Sequence, residues 1–379
     1  MRAIVVDSLV GNDYSLCLCN GLAEEGVDVG YVGVKNREVP FEISFPMLGW
    51  SPAKGDGGGA LGKVTGYLAY LLRLFLHVRR AAPADRVVHF QFFRRERVEA
   101  LFLTFLKLAG ARIVYTAHNI LPHERSRMDV FFKGLVYRKV DRIIVHSAFI
   151  QEELESQFPR TVGKIRVIPH GNFNHYVPAS PPSKEAARAA LGLSLEKPVL
   201  LFFGYIRPYK GLDLLLEAFA ALQEKRGDVQ LVIAGSPSSE GLREQYNQQI
   251  NQLPQPDAVF FHDRFIDHEE VPTYFAACDL VVLPYRNIYH SGIVHLAYSF
   301  GRPVLTTNTG DFSETVEQGR SGFVLESNGM EQLAIAIEAL IQDPHHLQEM
   351  GTHARSLSDS KYSWADIGRQ TRHVYEELI

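Results

Sequence analysis

The stretch Phe202-Phe203-Gly204-Tyr205-Ile206-Arg207-Pro208-Tyr209-Lys210-Gly211 joins an apolar run, Pro198 to Phe203, to a segment with apolar residues at Leu212, Leu215, Leu216, Phe219 and Leu222. A short continuous apolar run reads as a strand buried on both faces. The spacing after Gly211 is one face of a helix, expected over 212–225. The unit is therefore strand, tight loop, helix. Such a loop offers backbone N–H groups and the positive end of the helix dipole, which suits an anion. Arg207 and Lys210 add a fork and a point charge of the kind a diphosphate takes. A solvated turn with two surface cations has the same local pattern, so the stretch speaks to fold before it speaks to function.

Working outward, the same alternation fills the second half. Strands are expected at 229–234, 258–261, 280–283, 303–306 and 322–324. Helices are expected at 241–252, 269–277, 294–300, 313–317 and 330–341. A last helix, 364–378, follows a Ser-rich stretch at 356–360. The first half repeats the pattern with strands at 3–6, 27–32, 86–90, 112–116, 142–145 and 165–168. Its helices fall at 14–25, 63–82, 96–108 and 130–139. Strands alternating with helices make parallel sheets, and function gathers beyond the strand C-termini. His89, His118, His146 and His170 all stand at such ends, which points to a polar cleft along one sheet edge rather than to four catalytic groups. Gly11 and Asn12 sit at the mouth of the first helix. The pattern G-x-G-x-x-G is absent, so no dinucleotide fingerprint is claimed. Composition marks 179–183 as a linker.

A chain of 379 residues suggests two domains. The expected division is 1–177, 178–355 and a closing segment 356–379. The formal net charge of -4 is unevenly spread. Residues 1–175 hold 23 Lys and Arg against 17 Asp and Glu, leaving 16 against 26 for the remainder. A basic first half suits an anionic surface or substrate, although solvated faces produce the same asymmetry. Cys17, Cys19 and Cys278 form neither a metal spacing nor a disulfide framework and suggest a reducing, cytoplasmic setting. Met1-Arg2 runs straight into a strand, without a secretory leader. The most apolar window, 67–78, contains Arg73 and is too short to cross a bilayer. The helix that holds it ends in His77, Arg79 and Arg80. It reads either as a core helix with cations at its C-terminus or as an amphipathic helix on an anionic membrane.

Taken as an ordered set, the second half resembles a glycosyltransferase of the GT-B fold, retaining family 4 in particular. The matching pieces are PVLLFFGYIRPYKGLDLLLEAF, VQLVIAGS, FIDHEEVPTYFAACDLVVLPY, SGIVHLAYSFGRPVLTTNTGDFSETVEQGRSGFV and SWADIGRQTRHVYEELI. RIVYTAHN, VDRIIVHS and KIRVIPHGN in the first half match more loosely. The resemblance implies an α/β architecture of two Rossmann-like domains facing across a cleft, with the last helix crossing back to the first domain. It implies transfer of a sugar from a nucleotide-diphosphate sugar with retention of configuration and without a metal or other cofactor. The acceptor would be a glycan or a lipid-linked glycan, as in bacterial polysaccharide or cell-envelope synthesis. Nucleic acid is not an expected partner; the basic first half leaves an anionic membrane surface as one candidate beside a soluble acceptor.

The same resemblance assigns roles. Arg207 and Lys210 would neutralise the donor diphosphate, with Gly204 at the turn beside them. His118 would contact the donor sugar, and Gly11 and Asn12 would lie near the phosphates. Phe265 and Ile266 would hold the base, while Ser291, Gly292 and Ile293 would meet sugar hydroxyls and phosphate. Glu314 would be a further donor contact. One departure stands out. Two family glutamates eight positions apart are replaced by Ile288 and Leu296, and leucine cannot hydrogen-bond a ribose diol. His290, His295 and Glu314 are the candidate substitutes. Two other readings share the fold: a binding subunit that has lost the donor site, and a nucleotide-sugar epimerase, for which no matching carboxylate pair is evident.

Overall fold

A computed structural model of the chain describes residues 1–8, 13–33, 39, 41–50, 60–81, 87–121, 127–327 and 329–379. Two compact units emerge, one of Met1–Gly171 with Tyr362–Ile379, the other of Asn172–Lys361. The first contains β1 (Arg2–Asp7), α1 (Asp13–Glu24), β2 (Asp28–Val32), α2 (Ala60–Arg80), β3 (Val87–Phe92), α3 (Glu96–Leu108), β4 (Arg112–Thr116), α4 (Arg127–Lys139), β5 (Arg142–Val145), α5 (Ala148–Gln157) and β6 (Ile165–Val167). The second contains α6 (Lys184–Ala190), β7 (Val199–Phe203), α7 (Leu212–Lys225), β8 (Gln230–Ala234), α8 (Glu240–Asn251), β9 (Val259–His262), α9 (Val271–Ala277), β10 (Leu280–Leu283), α10 (Gly292–Ser299), β11 (Val304–Thr306), α11 (Phe312–Thr315), β12 (Gly322–Val324), α12 (Met330–Ile341) and α13 (Pro344–Asp359). The chain then returns to the first unit as α14 (Trp364–Glu376).

Each unit is built on a six-stranded parallel sheet, ordered β2-β1-β3-β4-β5-β6 in the first and β12-β11-β10-β7-β8-β9 in the second. Burial on both faces explains the strand sequences. Every residue of β7, VLLFF, and of β8, QLVIA, is buried. Among the described residues each unit has an apolar core of its own. One gathers Leu200, Phe202, Leu215, Phe219 and Ile233; the other gathers Val5, Leu18, Leu22, Val114 and Ile144. α14 joins the latter through Ile367, Val374 and Tyr375. Its backbone lies so close to α1 that a β-carbon on Gly21 would meet the carbonyl of Trp364, and one on Gly368 would meet Gly21. Glycine at both crossing points is what permits that approach. Glu377, just beyond α14, accepts from Arg142 Nε at 2.8 Å and Arg166 Nη2 at 2.7 Å. Those two guanidinium groups, Arg166 first, hold its carboxyl down at about 2.

The compact units and some elements differ in their bounds from the expected ones. The units divide at 171/172, before the stretch 179–183 whose composition suggests a linker. Asn172 donates to the Ser358 carbonyl at 2.8 Å and Asn174 to Asp359 at 2.8 Å, tying this segment to α13. The chain leaves the second unit at Lys361 rather than at 355, because the Ser-rich stretch is the end of α13. That helix is hard to find by apolar spacing because Gly351, Ala354 and Ser358 share its buried face with Leu347, Met350 and Leu357. A β-carbon on Gly351 would strike the carbonyl of Gly301, so close approach demands small residues there. α5 and α6 were also not anticipated. They bury only two residues each, Ile150 and Leu154 in α5, Ala187 and Arg188 in α6.

Candidate active site

The loop after β7 is shaped by glycine and pinned by arginine. Gly204 (φ 99°) and Gly211 (φ 67°) both occupy backbone regions that a side chain disfavours. A β-carbon on Gly211 would collide with the carbonyl of Pro284. One on Gly204 would lie 3.3 Å from Lys210 Nζ, so the glycine leaves room for that ammonium. Arg286 donates to the Pro208 carbonyl at 3.1 Å and forms a two-pronged pair with Asp213, both prongs at 2.7 Å. Gly211 caps α7, and residues 208–210 form a 3-10 turn.

The two loop cations differ in setting. Lys210 is buried, with its Nζ 5.6 Å from the centre of the Tyr285 ring. Burial, and then the neighbouring charge of Arg207, bring its proton affinity down from 10.5 to about 8. Arg207 is exposed, its guanidinium 5.3 Å over the Tyr205 ring. Lys210 forms part of the wall of a cavity of ≈ 350 Å³ at the C-terminal edge of the second sheet. Phe265, Ile266, Ser291, Gly292 and Ile293 line the same cavity, so sequence-predicted donor residues from three loops converge. Gly204, Arg207 and Glu314 are outside that lining. Glu314 is exposed on α11.

Ile288 and Leu296 both face the cavity and make part of its wall apolar. Of the three proposed substitutes for the missing carboxylates, His290 alone lines the cavity. It donates from Nδ1 to the buried Asp311 at 2.9 Å. Aromatic residues complete the walls: Phe173, Tyr176, Tyr209 and Tyr285. Sequence reasoning missed these, since lone aromatics between elements carry no periodic signal. A larger recess of ≈ 680 Å³ lies at the opposite, N-terminal edge of the sheet. Two of its guanidinium groups are engaged in holding the fold: Arg188 with Asp279 and the Ala277 carbonyl, Arg302 with the carbonyls of Phe275 and Ala276.

In the first unit the four histidines do come together. His89, His146 and His170 are buried and His118 is partly exposed, so the four form a largely buried polar cluster. His118 stacks on Phe92 with ring centres 4.4 Å apart. Its Nδ1 is 3.1 Å from His146 Nε2, and its Nε2 is 3.1 Å from Gln91 Oε1. His146 Nδ1–H donates to the Ile168 carbonyl at 3.1 Å, and Gln91 Oε1 accepts from His118 Nε2–H, so His118 is held at both ring nitrogens. The Gln91 amide in turn donates to His89 Nε2 at 3.0 Å, and His89 Nδ1 lies 2.7 Å from the Tyr375 hydroxyl on α14. Burial drives the proton affinity of His89 down to about 3, so that ring stays neutral. Gly11 and Asn12 lie outside the described residues. Replacing His146 with leucine removes one hydrogen bond that orients His118. If His118 meets the donor, turnover should fall about tenfold with little change in folding, by analogy with outer-shell partners elsewhere. Steady-state kinetics beside a thermal melt measure both.

Comparison with known proteins fits this geometry. The sequence matches Glycosyl transferases group 1 over residues 183–357 and Glycosyltransferase Family 4 over residues 13–171. The chain belongs to the group 1, family 4 glycosyltransferases. The transferase is 27% identical over 292 residues to alpha-maltose-1-phosphate synthase of Mycolicibacterium smegmatis, covering 72% of this chain and 74% of that one. It is 28% identical over 246 residues to D-inositol 3-phosphate glycosyltransferase 2 of Catenulispora acidiphila, covering 63% and 56%. The match therefore spans just over half of the latter. Among solved structures it superposes on a Rickettsia africae glycosyltransferase with a TM-score of 0.77 at 15% identity, covering 100% of this chain and 98% of that one. HepE of Anabaena, solved in complex with UDP and glucose, gives 0.74 at 21%, covering all of both chains. The transferase thus has the two-domain Rossmann-like GT-B fold.

Proposed function

We propose that the protein is a retaining transferase that moves a sugar from a nucleotide-diphosphate sugar to a glycan or lipid-linked acceptor. One observation carries the reading. Lys210 is a buried ammonium in a cavity wall, its proton affinity depressed by burial and by a second cation, Arg207. Two cations at one strand-end loop lack only an anion. A diphosphate supplies that charge, and more of it as the glycosidic bond breaks. In this reading Arg207 and Lys210 neutralise the leaving diphosphate, with Gly204 giving the loop its approach. Phe265 and Ile266 hold the base through backbone contacts, and the start of α10 at Ser291, Gly292 and Ile293 meets phosphate and sugar hydroxyls. His118 contacts the donor sugar, and Gly11 and Asn12 lie near the phosphates. His290, oriented by Asp311, takes over a hydroxyl contact that a carboxylate at position 288 or 296 would have made. Glu314 is the more distant donor contact. The leaving phosphate oxygen takes the acceptor's proton on the face of attack, which retains configuration without a protein base or a metal.

The relatives support this class of donor: HepE was solved with UDP and glucose. A polysaccharide or cell-envelope acceptor rests on the resemblance and on the basic first half. The apolar wall at Ile288 and Leu296 favours a second reading, a binding protein whose donor grip has been lost. Thermal unfolding with UDP, GDP and ADP in turn separates the two. Ligand at a hundred times its dissociation constant should add about 2.7 kcal/mol of stability. A shift with one diphosphate, followed by turnover of its sugar, supports the transferase. Absence of any shift sinks it in favour of the second reading.

A further inference from the structure

We infer that the outer helical layer of the first unit, α2 with α3 and α4, is a docking face for an anionic lipid bilayer. The sequence left α2 open between a core helix and a surface helix, and the structure shows a helix with two apolar faces. Tyr67, Leu71, Leu74 and Val78 are buried, while Val64, Leu68, Leu72 and Leu76 recur every fourth residue on the exposed side. A core helix needs only the first set. α3 repeats the arrangement: Ala100, Leu103 and Leu106 are buried, and Val98, Leu101, Phe105 and Leu108 form an exposed stripe, Phe105 at 58% and Leu108 at 81%. α4 adds Met128, Val130 and Phe131. α2 packs on α3 and α3 on α4, so the stripes share one layer. Exposed apolar area that runs across neighbouring helices marks an interaction surface.

Charge decides the occupant. Among the described residues of these helices and the turn before α3, every exposed ionised side chain is a cation. Arg73, Arg79 and Arg80 lie on α2; Arg94, Arg95 and Arg97 lie at the start of α3. The carboxylates are withdrawn: Glu99 is buried, Glu96 pairs with Lys133 at 3.1 Å, and Asp129 faces Arg97 at 3.4 Å. Residues 51–150 hold 17 Lys and Arg against 7 Asp and Glu. A second copy of this chain would bring the same arginines against each other. Anionic headgroups meet the arginines, while Leu101, Phe105 and Leu72 enter the boundary between headgroups and acyl chains. An apolar trough of ≈ 450 Å³ continues the layer between α4 and the turn Pro159–Thr161, with Arg138 and Arg160 on its edge. α3 and α4 both start at the sheet edge that carries His118, where a lipid-linked acceptor would arrive. Among the described residues no helix is long and apolar enough to cross a membrane, so the contact lies in the interface plane.

The inference deepens the lipid-acceptor reading, but its test does not pass through catalysis. The full chain is sedimented with vesicles of phosphatidylcholine alone and of phosphatidylcholine with phosphatidylglycerol, at rising salt. Binding to the anionic vesicles only, weakening with salt, is the expected result. The variant Leu101→Glu with Phe105→Glu should bind about tenfold or more weakly. The variant with Arg94, Arg95 and Arg97 changed to Gln should lose about a hundredfold. Thermal melts with and without the nucleoside diphosphate, unchanged in both variants, show that fold and donor site are intact. No binding to anionic vesicles at low salt, or binding indifferent to both variants, overturns the inference. So does a concentration-dependent dimer that the Leu101→Glu, Phe105→Glu variant dissolves, since the layer then belongs to self-association. A protein that binds vesicles but no nucleotide keeps the docking face and loses the transferase reading; the reverse result separates them equally.

Discussion

Changing Arg207 to alanine is expected to lower kcat by about 10² to 10³, the size of effect seen when one donor to a developing oxyanion is removed. The side chain is exposed and lies over Tyr205, so its loss should leave folding nearly unchanged. Arg207→Lys restores the charge without the planar fork and should recover only part of the rate. Turnover of nucleotide sugar, compared across the three proteins at saturating donor, measures the effect. Equal rates in wild type and the alanine variant would remove Arg207 from the reaction and leave the loop as a scaffold.

Lys210 should behave in the opposite way on stability. Its folded proton affinity, about 8, lies below the ordinary 10.5. Below pH 8 the lysine is charged in both folded and unfolded chains, and the folded state bears the full penalty. As pH rises from 8 to 10.5 the penalty shrinks, and above 10.5 it is gone. At neutral pH the cost is about 3 kcal/mol at 1.36 kcal/mol per unit. Lys210→Met keeps the volume and removes the charge. The ligand-free variant should therefore be more stable at pH 7 by up to about 3 kcal/mol, an advantage that fades between pH 8 and 10.5, while transferase activity collapses. A bound diphosphate raises the lysine's proton affinity. Binding to wild type should then weaken by up to about tenfold per pH unit as pH rises above 8. Denaturant unfolding and nucleotide titration across pH 6 to about 10 read both effects. A Met variant less stable than wild type would mean that the ammonium has a stabilising partner and is not held ready for a ligand.

Much of the second unit was legible because its sequence obeys simple periods. The run 199–203 is apolar without interruption, and 212–225 carries one clean stripe, so β7, α7 and the loop between them fall where expected. α3 was legible for the same reason over Glu96–Leu108. α13 was not, because its buried large apolar residues Leu347, Met350 and Leu357 are interleaved with Gly351, Ala354 and Ser358, which thin the apolar stripe where the helix meets a neighbouring backbone. The donor-loop residues could be named from the ordered motifs, whereas the aromatic wall of Phe173, Tyr176 and Tyr209 comes from separate loops that only folding brings together.

By itself the sequence determined two parallel α/β units, the strand-loop-helix with its paired cations, and the apolar residues that stand at Ile288 and Leu296. These are local facts, written in spacing and residue type. Tertiary structure alone decided that Lys210 is buried and Arg207 exposed, because burial depends on the Pro284 and Tyr285 segment packed across the loop. It also decided that His290, rather than His295 or Glu314, reaches the cavity wall. And it turned α2 from an ambiguous apolar helix into one with a second, outward apolar face, since a helix's sequence shows how many apolar stripes it has but not which of them another element covers.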